Sequence, residues 1–199
     1  MRFCSGDRVD SDRLRTDENE IAKVQHMPRV ATDMLLGIVS DTHDDMAAVR
    51  AAIEYFESED VAAVIHCGDF VAPFAVAPFD TDSFDFYAVR GNNDGEWGLA
   101  AAIDAFGTFL GDADIIRFDD TSIAVYHGTS DVLVDALVTA GTADFVVHGH
   151  THAHGVEARA GAVRVNPGGL PLSFADDAFH VATIDTAVSG VDAVTHHRL

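Results

Sequence analysis

Seven short apolar runs punctuate the chain from residue 35 onward: 35–39, 62–66, 84–89, 122–126, 144–148, 162–165 and 179–184. They are rich in valine, isoleucine and phenylalanine and too short for helices, which predicts strands buried on both faces. Helical patterns lie between some of them. Residues 44–57 place Met46, Val49, Ala52, Ile53 and Phe56 on one stripe. Residues 97–106 and 130–140 predict two further helices. The run Ile115–Val125 is interrupted by the turn formers Asp119 and Asp120 and reads as a hairpin. Strand–helix alternation first, then strand-rich sequence, predicts α/β layers with two sheets packed face to face.

A chain of 199 residues and 21.2 kDa suits one domain with a sizeable core. No apolar run reaches the length of a membrane span, and the N-terminus carries no long apolar stretch. The expectation is a soluble, cytoplasmic protein with no membrane partner. Two cysteines, Cys4 and Cys67, are too few for a disulfide framework. Charge changes the picture more. Lys and Arg number 12 against 33 Asp and Glu, a net of −21. Aspartate outnumbers glutamate 26 to 7, and Lys23 is the one lysine beside 11 arginines. Such a balance argues against binding long nucleic acid, which needs a basic face. It fits a halophilic protein, because molar salt screens self-repulsion over about 3 Å.

The acid is unevenly spread. Residues 1–33 hold 6 of the 12 basic residues, against 7 acids, and lack sustained apolar periodicity. Residues 34–199 hold 6 basic and 26 acidic residues, a net of −20. Residues 1–33 therefore read as a poorly ordered extension, or as sequence upstream of a true start at Met34. Residues 34–199 are the expected domain.

The chemistry sits at the strand ends. Run 35–39 leads into Asp41-Thr42-His43, and 62–66 into Cys67-Gly68-Asp69. Run 84–89 leads into Arg90-Gly91-Asn92-Asn93-Asp94, 122–126 into His127-Gly128, and 144–148 into Gly149-His150-Thr151-His152. Ligand sites in α/β folds gather beyond the carboxyl ends of strands. Asp41 and His43 are two apart, as are His150 and His152, so in extended backbone each pair points one way. Oxygen and imidazole donors without thiolate suit Mn, Fe, Ni, Co or Zn. Seven donors are too many for one ion and fit two that share a carboxylate. His66, His148, His154 and His180 read as structural, and Cys67 as a small buried hydrophobe. His26, His196 and His197 lie near the chain ends and read as solvated. Phe70, Phe74, Trp97 and Leu170 are candidates for a pocket or equally for the core.

In this order the five motifs resemble the calcineurin-like metallophosphoesterase superfamily. Arg90-Gly91-Asn92-Asn93-Asp94 and Asn166-Pro167-Gly168 resemble more narrowly its small prokaryotic YfcE-type phosphodiesterases. The resemblance spans about residues 35–185. It implies a four-layer α/β-β/α sandwich: two mixed sheets flanked by helices, with two divalent ions between them, manganese first among the candidates. By motif, Asp41, His43 and His152 would hold one ion. Asn92, His127 and His150 would hold the other, and Asp69 would bridge them. A bridging hydroxide would attack a small phosphodiester. Asn92, Asn93 and Asp94 are the candidate catalytic stretch, with Arg90 as an aid to the phosphate, a surface charge or a partner of Asp94.

Two positions depart from the superfamily. Many members carry histidine where Asn93 stands, and an amide is no general acid at neutral pH. Slow hydrolysis, best on activated diesters, is expected. Gly169-Leu170-Pro171 replaces a segment that often carries serine and arginine, which leaves that loop as a turn. The alternatives are a phosphomonoesterase and a non-catalytic metal-binding scaffold on the same fold. A homo-oligomer is open.

Overall fold

The computed structural model describes residues 33–95, 98–172 and 178–199. The expected extension over residues 1–33 lies outside them except for its last residue, and so does Trp97. Strand β1 (Leu35–Val39) is parallel to β2 (Ala63–His66), β2 to β3 (Asp85–Ala88), and β3 to the short β4 (Thr108–Phe109). On its other side β1 pairs antiparallel with β10 (His180–Asp185), and β11 (Val194–Arg198) closes that edge. The second sheet runs β5-β6-β7-β9-β8. Here β6 (Thr121–Tyr126), β7 (Phe145–Val147) and β9 (Ala162–Asn166) are parallel. The antiparallel strands β5 (Ala113–Phe118) and β8 (Gly155–Arg159) form its edges.

Alternation along the strands builds three apolar cores between four layers. Leu36 and Ile38 of β1 meet Val125, Phe145 and Val147 of the second sheet in the central core. Val39 turns the other way, with Val64 of β2, onto helix α1 (Met46–Ser58), whose Val49, Ala52, Ile53 and Phe56 form the buried stripe. Gly37 belongs to that outer face, and the Phe56 ring occupies the space a side chain there would need. Val146 of β7 points away from the central core onto Leu137 and Val138 of helix α3 (Asp131–Ala140). The α/β-β/α sandwich follows from this period-2 sorting.

The helices begin and end on local chemistry. The Asp45 carboxylate accepts from the N–H groups of Ala47 and Ala48 at 2.9 and 3.1 Å, so α1 starts at Met46 rather than residue 44. Ser130 caps α3, and Gly141 ends it at φ 62°. Helix α2 (Leu99–Ile103) is shorter than the 97–106 pattern. The Asp119–Asp120 turn joins β5 to β6 as a hairpin in register Phe118↔Thr121.

Strands β4, β8 and β11 carry no apolar run that predicts them. They pair at sheet edges, and β8 is exposed along most of its length. The chain-end histidines are a correction too. His197 lies in β11 between the hydroxyls of Tyr55 at 2.7 Å and Thr183 at 3.0 Å. His196 donates to the Asn166 carbonyl at 2.8 Å. Neither is simply solvated, because β11 is folded into the sheet.

Candidate metal centre

The parallel strands β1, β2, β3, β6 and β7 deliver their carboxyl ends to one edge of the sandwich, so five loops meet there. The loop after β1 runs along the loop after β2. Asp41 donates its N–H to Gly68 O, His43 to Asp69 O and Asp44 to Phe70 O, at 2.9–3.0 Å. The backbone is not extended as the i, i+2 spacing suggests. Asp41, His43, Asp69, His150 and His152 have φ of 55°, 42°, 63°, 69° and 55°. Non-glycine residues rarely adopt this region, and such strain gathers at functional sites. His150 is the centre of a tight γ-turn, with Thr151 N–H donating to Gly149 O at 2.9 Å. Two glycines make the crossing possible. A Cβ on Gly91 would strike the Asp69 carboxylate, and one on Gly149 would strike Ser40 Oγ and Asp41 Oδ2.

All seven candidate ligands come together. His152 Nε2 lies 3.5 Å from Asp41 Oδ1 and 3.4 Å from His43 Nε2. His43 Nε2 is also 3.7 Å from Asp69 Oδ2, and His127 Nε2 is 3.4 Å from that same oxygen. Asn92 Oδ1 is 3.0 Å from His127 Nε2. The His150 ring packs edge-on against His127, centroids 5.2 Å apart.

Hydrogen bonds at the back of the site set what faces its centre. His127 Nδ1 donates to the Cys67 carbonyl at 2.7 Å, and His152 Nδ1 donates to the Leu170 carbonyl. A carbonyl only accepts, so in the neutral form both rings carry the proton on Nδ1 and turn an Nε2 lone pair inward. Those lone pairs face carboxylate oxygens. Asp41 Oδ1 is fully buried and has no hydrogen-bond partner among the described residues, whereas Asp41 Oδ2 accepts from His150 N–H at 2.9 Å. Burial pushes the Asp41 carboxyl up, against the pull of Ser40 and nearby histidines. Burial alone would raise Asp69 too, but the bond it accepts from His127 when that ring is protonated, with those from Asn93, holds it well below the usual carboxylate range. Burial likewise would lower His127, and the Asp69 carboxylate reverses the direction to upward. Buried acceptors facing one another call for a cation between them. Asp41 with His43 and His152, and Asp41 with Asp69 and His127, each place their donor atoms within 4.8 Å of one another. Donors of this chemistry fit divalent transition-metal ions.

Three residues of the proposed catalytic stretch do other work. The buried Asp94 carboxylate accepts from the N–H groups of Asp69 and Gly91 on Oδ2, at 2.9 and 2.7 Å, and of Val71 on Oδ1, at 2.8 Å. It holds the strained loop. Asn93 gives both its main-chain N–H and its amide to Asp69, at 2.8 and 2.7 Å. Arg90 is not paired with Asp94. It lies 3.6 Å from the exposed Asp112 and over the Phe109 ring, because Asp94 is already occupied by backbone donors. Phe70 is fully buried against His66, so it is core. Phe74 is 56% exposed, and Leu170 packs on the outer core.

Sequence reasoning overlooked the carbonyls of Cys67 and Leu170, since main-chain atoms leave no residue signal. Asn166 was legible only as part of a turn. Its amide donates to Gly149 O at 3.1 Å and to Thr151 Oγ1 at 2.9 Å, bracing the His150 turn. His66 accepts Gly68 N–H on Nδ1 and reaches Thr42 Oγ1 with Nε2. His154 stacks on His180 at 4.4 Å, outside the centre. A cavity of about 510 Å³ at the other ends of the strands, lined by Asp120, Asp144, Gly161 and Ser189, touches none of these groups.

Comparison with known proteins shows the family. Residues 34–189 match the sequence model of the calcineurin-like phosphoesterase superfamily domain. A phosphodiesterase of Methanocaldococcus jannaschii is 35% identical over 141 residues, 68% of this chain and 83% of its own length. A solved structure described as a novel archaeal phosphodiesterase superposes with a TM-score of 0.76 at 30% identity, covering 83% of this chain and all of that one. YfcE, a phosphoesterase from E. coli, superposes with a TM-score of 0.58 at 17% identity, covering 83% and 98%. At that identity the likeness is one of fold.

Proposed function

Since this chain belongs to the calcineurin-like phosphoesterase superfamily, we propose that it is a phosphodiesterase acting on a small phosphodiester with two divalent ions, manganese first among the candidates. The observation that carries the reading is Asp41 Oδ1, a buried carboxylate oxygen without a hydrogen-bond partner among the described residues, facing an imidazole lone pair of His152. In this reading Asp41, His43 and His152 hold one ion, Asn92, His127 and His150 the other, and Asp69 both. Bound there, the ions supply an activated water at neutral pH and positive charge for the phosphoryl oxygens.

The chain's own residues do the rest. Two ionised carboxylates against two divalent ions leave the centre positive, which draws a phosphate anion towards a domain that nets −20. Asn93 steadies the Asp69 carboxylate and offers no proton to a departing alkoxide. Activated diesters, whose leaving groups need no proton, are therefore the better substrates. The Asp-rich, lysine-poor composition favours folding in molar salt.

The test is hydrolysis of a chromogenic phosphodiester by metal-stripped protein in molar KCl, with Mn²⁺, Ni²⁺, Co²⁺ or Zn²⁺ restored in turn. Activity that returns with metal and is abolished by Asp69→Ala is expected. Folded protein that binds metal and hydrolyses no diester would turn the assignment to a scaffold. Faster turnover of the corresponding monoester would make it a phosphatase.

A further inference from the structure

His148 is buried one residue before the His150 γ-turn, on the face of β7 away from the central core, and takes no part in the centre itself. Its Nε2 receives the Nε–H of Arg164 at 2.8 Å. Arginine is always a donor, so that nitrogen must be the acceptor and the ring proton must sit on Nδ1. Nδ1 in turn lies 3.1 Å from the Gly149 carbonyl. The other end of the same peptide unit is the His150 N–H, which donates to Asp41 Oδ2 at 2.9 Å. Four groups are thus joined in series, each donating to the next: Arg164, His148, the Gly149–His150 peptide and Asp41.

We infer that Arg164 is a positioning residue that orients Asp41 for its cation by holding the His148 ring against the Gly149–His150 peptide. The inference rests on the reading of Asp41 as a metal ligand. Donors on the Gly149 carbonyl polarise the peptide and strengthen its N–H as a donor at the far end. That bond occupies Asp41 Oδ2 and leaves Oδ1 as the oxygen presented to the centre. Arg164 also fits the role by its surroundings. Among the described residues the ring of His148 is the one hydrogen-bond partner of its side chain, and the residue lines a cavity of about 330 Å³ beside Thr151 and Asn166. Gly128 leaves the room the His148 ring needs, since a Cβ there would stand 2.9 Å from Nδ1.

Two variants separate the donor from bulk and charge. Arg164→Gln keeps an amide N–H at the position of the arginine Nε, without charge. Arg164→Met keeps the stem and removes the donor. Ring-nitrogen chemical shifts of His148 in the metal-free protein report the tautomer, and calorimetric titration with Mn²⁺ reports the affinity. Wild type and Arg164→Gln are expected to show Nδ1–H and similar affinities. Arg164→Met is expected to keep Nδ1–H, which the Gly149 carbonyl requires by itself, to move the Nε2 shift to that of an unbonded imine nitrogen, and to bind Mn²⁺ about tenfold more weakly, the low end for outer-shell partners. An Nε2–H ring in the wild type, or an Arg164→Met protein with an unchanged Nε2 shift or an unchanged Mn²⁺ affinity, would overturn the inference. The shifts need no metal. A wild type that shows Nδ1–H and binds no Mn²⁺ overturns the metal reading and, with it, the step from the peptide to a cation.

Discussion

Replacing Asp94 by alanine should unfold the domain more easily than any single loss of surface charge. Its carboxylate holds the N–H groups of Asp69, Val71 and Gly91 at 2.7–2.9 Å, and only 6% of the residue is exposed. Two of those backbones are strained, Asp69 at φ 63° and Val71 at φ 85°. Each buried donor left unpaired costs about 1–3 kcal/mol. With some rehydration of the space, three donors give a loss of about 3–5 kcal/mol. Asp94→Asn retains one acceptor oxygen but turns an amide NH₂ towards an N–H, so about half that loss is expected. Urea unfolding of chelator-treated protein in molar KCl reads the difference. With a slope of about 2 kcal/mol per molar urea, the Asp94→Ala midpoint falls by about 2 M. The exposed Asp112→Ala is the control. An Asp94→Ala protein within about 1 kcal/mol of that control would refute the account of Asp94 as the clamp of the loop.

Other perturbations probe neighbouring parts of the site. Gly149→Ala drives a methyl into Ser40 and Asp41; it should cost about 1–3 kcal/mol and weaken Mn²⁺ binding, read by thermal unfolding and calorimetry. Burial, joined by the Arg164 charge, pulls His148 down to about 4 from 6.5. The folded chain then binds fewer protons than the unfolded one, so stability is present above pH 6.5 and is lost as pH falls towards 4, by roughly 3 kcal/mol. Parallel pH–stability curves for wild type and His148→Asn would contradict this. Asn93→His should raise turnover of an alkyl diester on the order of 10²-fold, with little change on a nitrophenyl diester; no gain on any diester counts against the leaving-group argument. Unfolding midpoints should climb with KCl, and full stability without salt would refute the halophilic reading.

Much of the architecture could be read before any coordinates. The apolar runs located seven strands because a strand buried on both faces must be apolar throughout. Edge strands escape that rule: β8 and β11 are polar because solvent or a loop covers one side, and only pairing makes them strands. The seven candidate ligands were legible as residue types at strand ends, since parallel strands bring their carboxyl ends to one edge. How they converge was not legible. Spacing of two suggested extended backbone, whereas left-handed turns at Asp41, His43, His150 and His152 aim the side chains.

Chemistry that resides in side-chain type was therefore determined by the sequence: a set of oxygen and imidazole donors, an amide at position 93 that offers no acid proton, and a domain that nets −20. Chemistry that resides in partnership was decided only by the tertiary structure. Asp94 is a clamp because three N–H groups surround it, and Arg90 is free of it for the same reason. His127 and His152 present lone pairs because the carbonyls of Cys67 and Leu170 lie behind them. A carbonyl is common to every residue, so where it points depends on the fold and cannot be spelled in a one-letter code.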